Sequence, residues 1–124
     1  MHMGDLLRQV THCPNAELVG VSDQNQVKMD WAVDNLKLPK EKTYLDYRKC
    51  MEETKPDVAI LCPATAEHGK WTEMIAPYGV HILMEKPFAA SLAEADRMTA
   101  AVERAGKLLA INWPLAWVPA HRTA

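Results

Sequence analysis

Val58-Ala59-Ile60-Leu61-Cys62 is an unbroken apolar run of strand length, introduced by the turn-forming Lys55-Pro56-Asp57. A strand with one wet face alternates apolar and polar residues. A run without a polar break belongs where both sheet faces are covered, so Val58 to Cys62 is expected as a central strand of a parallel sheet flanked by helices. A second run, Val80-His81-Ile82-Leu83-Met84, comes one helical segment later and ends at Glu85-Lys86-Pro87. Parallel neighbours cannot be joined by a tight turn, so the chain between them must cross over, most simply as a helix.

The rest of the chain fits that requirement. Leu6, Leu7 and Val10 recur at helical spacing up to Cys13-Pro14-Asn15, where a turn is expected. Glu17 to Ser22 reads as a strand ending at the polar cluster Asp23-Gln24-Asn25-Gln26. A helix punctuated by Val27, Trp31, Leu36 and Leu38 follows and is expected to stop at Pro39, and Lys42-Thr43-Tyr44 offers a short edge strand. Leu45 to Thr54 reads as a helix. Thr65 is placed as the cap of a helix running through Trp71, Met74 and Ile75, closed by Pro77 and Gly79. Ser91-Leu92-Ala93-Glu94 has capping-box spacing, and Leu92, Ala95, Met98, Val102 and Ala105 form the apolar stripe of a helix that Gly106 ends. Leu108 to Ile111 supplies a last strand before Asn112-Trp113-Pro114. Strand and helix alternate throughout, which predicts an α/β fold with a doubly wound parallel sheet.

Composition narrows the class of partner. The 124 residues suffice for one domain at most, 48% hydrophobic and 24% charged. No segment approaches the roughly 20 apolar residues that span a bilayer. Fourteen basic and sixteen acidic residues leave a formal charge of -2, with no basic footprint for nucleic acid or anionic lipid. Cys13, Cys50 and Cys62 have neither metal-ligand nor redox-motif spacing, and with no secretory signal in Met1 to Asp5 they fit reduced thiols in a cytoplasmic protein. His2, His12, His81 and His121 show no paired spacing, so no metal is expected.

Ligands of open parallel sheets bind beyond the carboxyl ends of the strands. Those ends carry Asp23, then Pro63-Ala64-Thr65 with His68 one turn on, then Glu85-Lys86-Pro87, then Asn112-Trp113. A carboxylate at Asp23 can accept hydrogen bonds from an adenosine ribose and repel a 2'-phosphate, or can simply cap the next helix. Lys86, between a carboxylate and a rigid proline, can reach a crevice and polarise a substrate hydroxyl, or it can be a solvated lysine at a strand end. His68 suits a cofactor contact or a structural role, and Trp113 suits stacking on nicotinamide or filling a domain junction.

Together, Glu85-Lys86-Pro87 after one strand, His68 after the preceding one, and the segment from Glu17 to Asp23 after a leading helix resemble the Gfo/Idh/MocA oxidoreductases over nearly the whole chain. The resemblance implies a Rossmann domain binding NAD, with NADP as the alternative, followed by a second domain that shapes the substrate pocket and supports homo-oligomers. It implies hydride transfer between nicotinamide and a hydroxyl or ketone of a sugar, inositol or related polyol. Carried onto this sequence, Lys86 is the catalytic candidate. The cofactor candidates are Asp23, Gln24, Cys62, Pro63, Ala64, Thr65, His68, Glu85, Lys86, Pro87, Asn112 and Trp113. Pro63-Ala64-Thr65 departs from the family's Thr-Pro-Asn-like loop.

The family's first strand and glycine-rich turn would fall before Met1, which removes the phosphate cradle. Residues 1–113 are thus expected to form an incomplete dinucleotide-binding domain, and 114–124 the start of a linker to a substrate domain. The segment alone is expected to lack turnover. The alternative is a non-catalytic nucleotide-binding or interaction module of the same fold.

Overall fold

A computed structural model describes residues 2–122. They divide into two compact units, Met1–Pro56 and Asp57–Ala124.

The first unit begins with α1 (His2–His12) and continues through β1 (Val21–Ser22), α2 (Gln26–Leu36), a 3-10 turn at Lys40–Lys42, β2 (Thr43–Tyr44) and α3 (Tyr47–Thr54). Strands β1 and β2 pair in parallel, Val21 with Thr43 and Ser22 with Tyr44. The expected strand from Glu17 is therefore much shorter, because a ladder extends only as far as its partner and β2 offers two residues. Leu7, Val21, Met29 and Leu38 are buried together, with Leu18 and Leu36 against them. A Cβ on Gly20 would lie 2.9 Å from Cys50 Sγ and 3.2 Å from the Tyr44 ring, so the chain entering β1 passes α3 where no side chain fits.

Asn25 caps α2 by accepting the Val27 N–H at 2.9 Å. The helix ends at Lys37, not at Pro39: Lys37 turns left-handed (φ 53°), which breaks the helical ladder two residues before the proline. Asp46 caps α3, and Lys55 ends it in a second left-handed turn (φ 43°).

The second unit holds β3 (Val58–Leu61), α4 (His68–Ile75), β4 (His81–Glu85), α5 (Leu92–Arg104), β5 (Leu109–Asn112) and a short α6 (Pro119–Arg122). The sheet runs β3-β4-β5, all parallel, with β4 in the centre. Strand β3, expected as a central strand from its apolar run, is instead an outer strand with Val58 51% exposed, because among the described residues it pairs on one side alone. Ile82 and Met84 on β4 and Met98 and Val102 on α5 are almost wholly buried, as is Ile75 on α4. This is the parallel α/β architecture that the alternation of runs predicted.

Three local expectations change here. Thr65 does not cap a helix; a 3-10 turn (Thr65–Glu67) precedes α4, and the Ala64 carbonyl accepts the Glu67 N–H at 2.8 Å instead. Leu92 is 86% exposed, off the buried stripe, which is formed by Glu94, Met98, Ala101 and Val102. Ser91 does cap α5 through the Glu94 N–H, but the carboxylate of Glu94, a residue only 8% exposed, bonds to Ala90 and Gly69 rather than returning to Ser91. Residues Pro114–Trp117 form a 3-10 turn and Pro119–Arg122 a helical turn, so the expected linker is locally ordered; its last two residues lie outside those described. Among the described residues no helix is long and apolar enough to cross a membrane.

Candidate functional site

The parallel register sets the site. Leu61 pairs with Met84 and Met84 with Ile111, and Glu85 pairs with Asn112, so Glu85 and Asn112 end their strands side by side and Cys62 follows directly on the end of β3. Pro63-Ala64-Thr65, Lys86-Pro87 and Trp113 continue outward from that edge.

Glu85 is 7% exposed, an unusual burial for a carboxylate, and both of its oxygens are engaged. Oε1 accepts the Asn112 side-chain amide at 2.6 Å, and Oε2 accepts the Lys86 backbone N–H at 3.2 Å. Burial, and then the negative charge of Glu85, push the Cys62 thiol up to about 11. The half-buried Cys62 thiol is thus disfavoured as a thiolate, the form that would act as a nucleophile. Lys86 is exposed, and its bond to Pro87 is cis.

His68, the first residue of α4, is 1% exposed, and its Nδ1 lies 3.2 Å from the Phe88 carbonyl oxygen. A carbonyl only accepts, so Nδ1 carries a proton. Thr65 and Trp113 are exposed at the same strand ends. Among the described residues no group of three or more His, Cys, Asp or Glu side chains is gathered as for a metal.

Asp23 and Gln24 belong to the first unit, just past β1. Asp23 Oδ1 accepts the Asn25 N–H at 2.9 Å, and Oδ2 pairs with Lys28 at 3.0 Å. The aspartate thus shapes the turn into α2 while keeping a partly exposed carboxylate at its strand's carboxyl end.

Sequence reasoning missed three participants. The Phe88 carbonyl is backbone and carries no side-chain signal. Gly69 and the Glu94 carboxylate meet only through folding, although the Ser91-x-x-Glu94 spacing had singled out Glu94 for another bond.

Residues 4–113 match the family described as the oxidoreductase family, NAD-binding Rossmann fold. The chain belongs to the Gfo/Idh/MocA oxidoreductases. A D-apiose dehydrogenase from Paraburkholderia graminis is 30% identical over 105 residues, 85% of this chain and 28% of that protein. A protein from Akkermansia muciniphila named glycosyl hydrolase family 109 protein 1 is 32% identical over 104 residues, 76% of this chain and 20% of that one. This Gfo/Idh/MocA chain therefore spans less than a third of either relative.

Among solved structures, a myo-inositol 2-dehydrogenase from Lactobacillus plantarum superposes with a TM-score of 0.82 at 18% identity, over 98% of this chain and 36% of its own. A 3-ketoreductase from Actinomadura kijaniata, in complex with TDP-benzene and NADP, gives 0.82 at 21% identity, over 94% and 36%. At these identities the superpositions establish the shared fold. The family match and the superpositions agree on a Rossmann-type fold, that of the family's NAD-binding domain.

The residues present fit one end of a dinucleotide better than the other. An exposed lysine, a hydroxyl and an aromatic face at the β3-β4-β5 edge suit a nicotinamide and its ribose. The five glycines, Gly4, Gly20, Gly69, Gly79 and Gly106, are too far apart in sequence to build a glycine-rich pyrophosphate turn among themselves.

Proposed function

We propose that this chain is the NAD(P)-binding portion of an enzyme that moves a hydride between nicotinamide and a hydroxyl or ketone carbon of a sugar, inositol or related polyol. The observation that carries the reading is the end of β4. Glu85 is buried and held by Asn112 across the sheet, and the exposed Lys86 follows it immediately.

When bound, NAD(P) supplies the hydride acceptor for alcohol oxidation and the donor for the reverse. Lys86 donates a hydrogen bond to the substrate oxygen, polarising the carbonyl and stabilising negative charge that develops there, and the proton that completes the hydroxyl on reduction, or leaves it on oxidation, passes through the Lys86 side-chain nitrogen. Glu85 fixes the start of the Lys86 segment through its bond to the Lys86 N–H. Thr65 and Trp113 line the nicotinamide end, the one through its hydroxyl and the other through its ring face. Asp23 receives the adenosine ribose hydroxyls and disfavours a 2'-phosphate, so NAD is the preferred form. The whole protein is a homo-oligomer whose remaining residues complete the substrate pocket.

The test is nicotinamide reduction by the full-length protein over a panel of sugars and polyols, with NAD and NADP in parallel. Lys86→Met is expected to lower kcat/KM by about a hundredfold or more. Turnover unaffected by that change would remove Lys86 from the reaction.

The relative named as a glycosyl hydrolase supports a second reading, in which a glycosidic bond is cleaved. Release of nitrophenol from nitrophenyl glycosides, with no net change in nicotinamide absorbance, would favour it. Dinucleotide binding with neither activity would favour a non-catalytic module.

A further inference from the structure

Six residues, Lys86 to Ser91, join β4 to α5 and carry the lysine on which the proposed reaction depends. Beyond the Glu85 contact at its start, this loop is tied to α4 at two points. The Phe88 carbonyl accepts from His68 Nδ1 at 3.2 Å, and the Ala90 N–H donates to Glu94 Oε2 at 2.6 Å while Glu94 Oε1 accepts the Gly69 N–H at 2.9 Å. Both ties end on the first two residues of α4.

We infer that Glu94 is a positioning residue for this site: its buried carboxylate bolts the Lys86 loop to the start of α4 and so fixes where Lys86 stands. The inference rests on the proposed role of Lys86 as the group that meets the substrate.

Three observations support it. Glu94 as a residue is only 8% exposed and its bond to the Gly69 N–H is buried, which limits competition from water. A charged acceptor bonds more strongly to N–H than a neutral one, and the two N–H groups hold the Glu94 carboxyl below the usual carboxylate range, Ala90 contributing most and Gly69 next. Finally, Gly69 makes the contact possible. A Cβ there would come within 2.6 Å of Glu94 Oε1 and 2.7 Å of its Cγ, so no other residue at 69 coexists with the bolt as built.

A helix cap that merely stabilises α5 would leave the loop and the reaction rate alone once the protein is folded, and that difference sets the test. In the full-length protein, Glu94→Ala and Glu94→Gln are compared with Gly69→Ala, which displaces the carboxylate from the opposite side. Amide hydrogen exchange at Ala90 and across the Lys86–Ala90 segment is expected to rise about tenfold or more in Glu94→Ala, with circular dichroism unchanged. The kcat should fall about tenfold or more while the KM for NAD stays within about twofold, as expected for a misplaced reacting group. Glu94→Gln, which keeps one acceptor oxygen, should fall between, and it carries the comparison if Glu94→Ala fails to fold. The double variant Gly69→Ala/Glu94→Ala should be no worse than the poorer single one, because both remove the same contact.

Unchanged exchange at Ala90 in the Glu94 variants would overturn the inference, as would a parallel loss of NAD binding and turnover. Should the wild-type protein bind dinucleotide without turnover, the proposed function falls while the exchange measurement still decides the bolt.

Discussion

Asn112 Nδ2 lies 2.6 Å from Glu85 Oε1, joining two residues directly paired across the parallel strands β4 and β5. The amide gives a buried carboxylate a side-chain donor at the end of the sheet where the candidate site lies. Asn112→Leu is expected to leave that oxygen without this donor and to cost about 1–3 kcal/mol of stability. Urea unfolding of the two proteins checks this. An unchanged midpoint would mean that water replaces the amide at no cost.

Two sulfur side chains lie deep in the core of the second unit, beside Ile75, Ile82 and Val102. Met84 and Met98 are both fully buried, on β4 and α5 respectively. Met84→Ala and Met98→Ala should each destabilise by about 2–5 kcal/mol, the range for a cavity left by a large aliphatic side chain. Replacement by leucine should cost less than about 1.5 kcal/mol. A thermal melt of each variant distinguishes the two outcomes.

Lys55 closes α3 in a left-handed conformation (φ 43°), donating its N–H to the Met51 carbonyl. A side chain in that region crowds its own backbone by roughly 1–2 kcal/mol, which glycine avoids. Lys55→Gly should therefore be neutral or stabilising by up to about 1 kcal/mol, in contrast to glycine placed within a helix. A lower melting temperature would show that the lysine side chain contributes a contact of its own.

The cysteines should separate by reactivity. Cys13 is exposed, whereas the Cys62 thiol is pushed up to about 11 by burial and by Glu85, and burial also raises that of Cys50. Because the thiolate is the nucleophile, raised pKa values mean slow reaction at pH 8. One thiol should react rapidly with Ellman's reagent in the native protein, and all three should react after denaturation. Rapid labelling of Cys62 in the native protein would contradict its burial.

The lowered pKa of Glu94 makes a signed prediction about acid. In the unfolded chain the group titrates near the ordinary glutamate value of about 4.3, and in the folded chain below it. Its contribution is thus complete above that ordinary value and is lost as pH falls through it towards the lower folded one. Glu94→Gln should show a shallower loss of stability over that acidic window and the same slope near neutrality. Denaturant midpoints measured between pH 3 and pH 7 test this.

The strands β3 and β4 were legible as strands because their runs are nearly continuous in apolar residues, but only β4 has the buried central place such a run suggests; β3 lies at the edge of its sheet, with Val58 51% exposed. The stretch from Glu17 to Ser22 has strand composition too, yet only Val21 and Ser22 form a ladder, because pairing requires a partner and composition does not supply one. Lys37 shows a similar limit. Nothing in a lysine announces a left-handed turn, so the later proline took the credit for ending α2.

At the candidate site, the residues on strand ends were singled out because topology sends ligands there, and register sets Glu85 beside Asn112, with Cys62 just past the end of β3. The Phe88 carbonyl stayed hidden for a different reason. Backbone acceptors are identical at every position, and only the fold selects one.

The fit between Gly69 and Glu94 also constrains how a chain like this can change over generations. A side chain arriving at 69 first meets an occupied space, whereas a shorter residue arriving first at 94 vacates it. The two orders of substitution are therefore unequal, and a lineage that drifts at these positions is expected to pass through the altered glutamate before it loses the glycine.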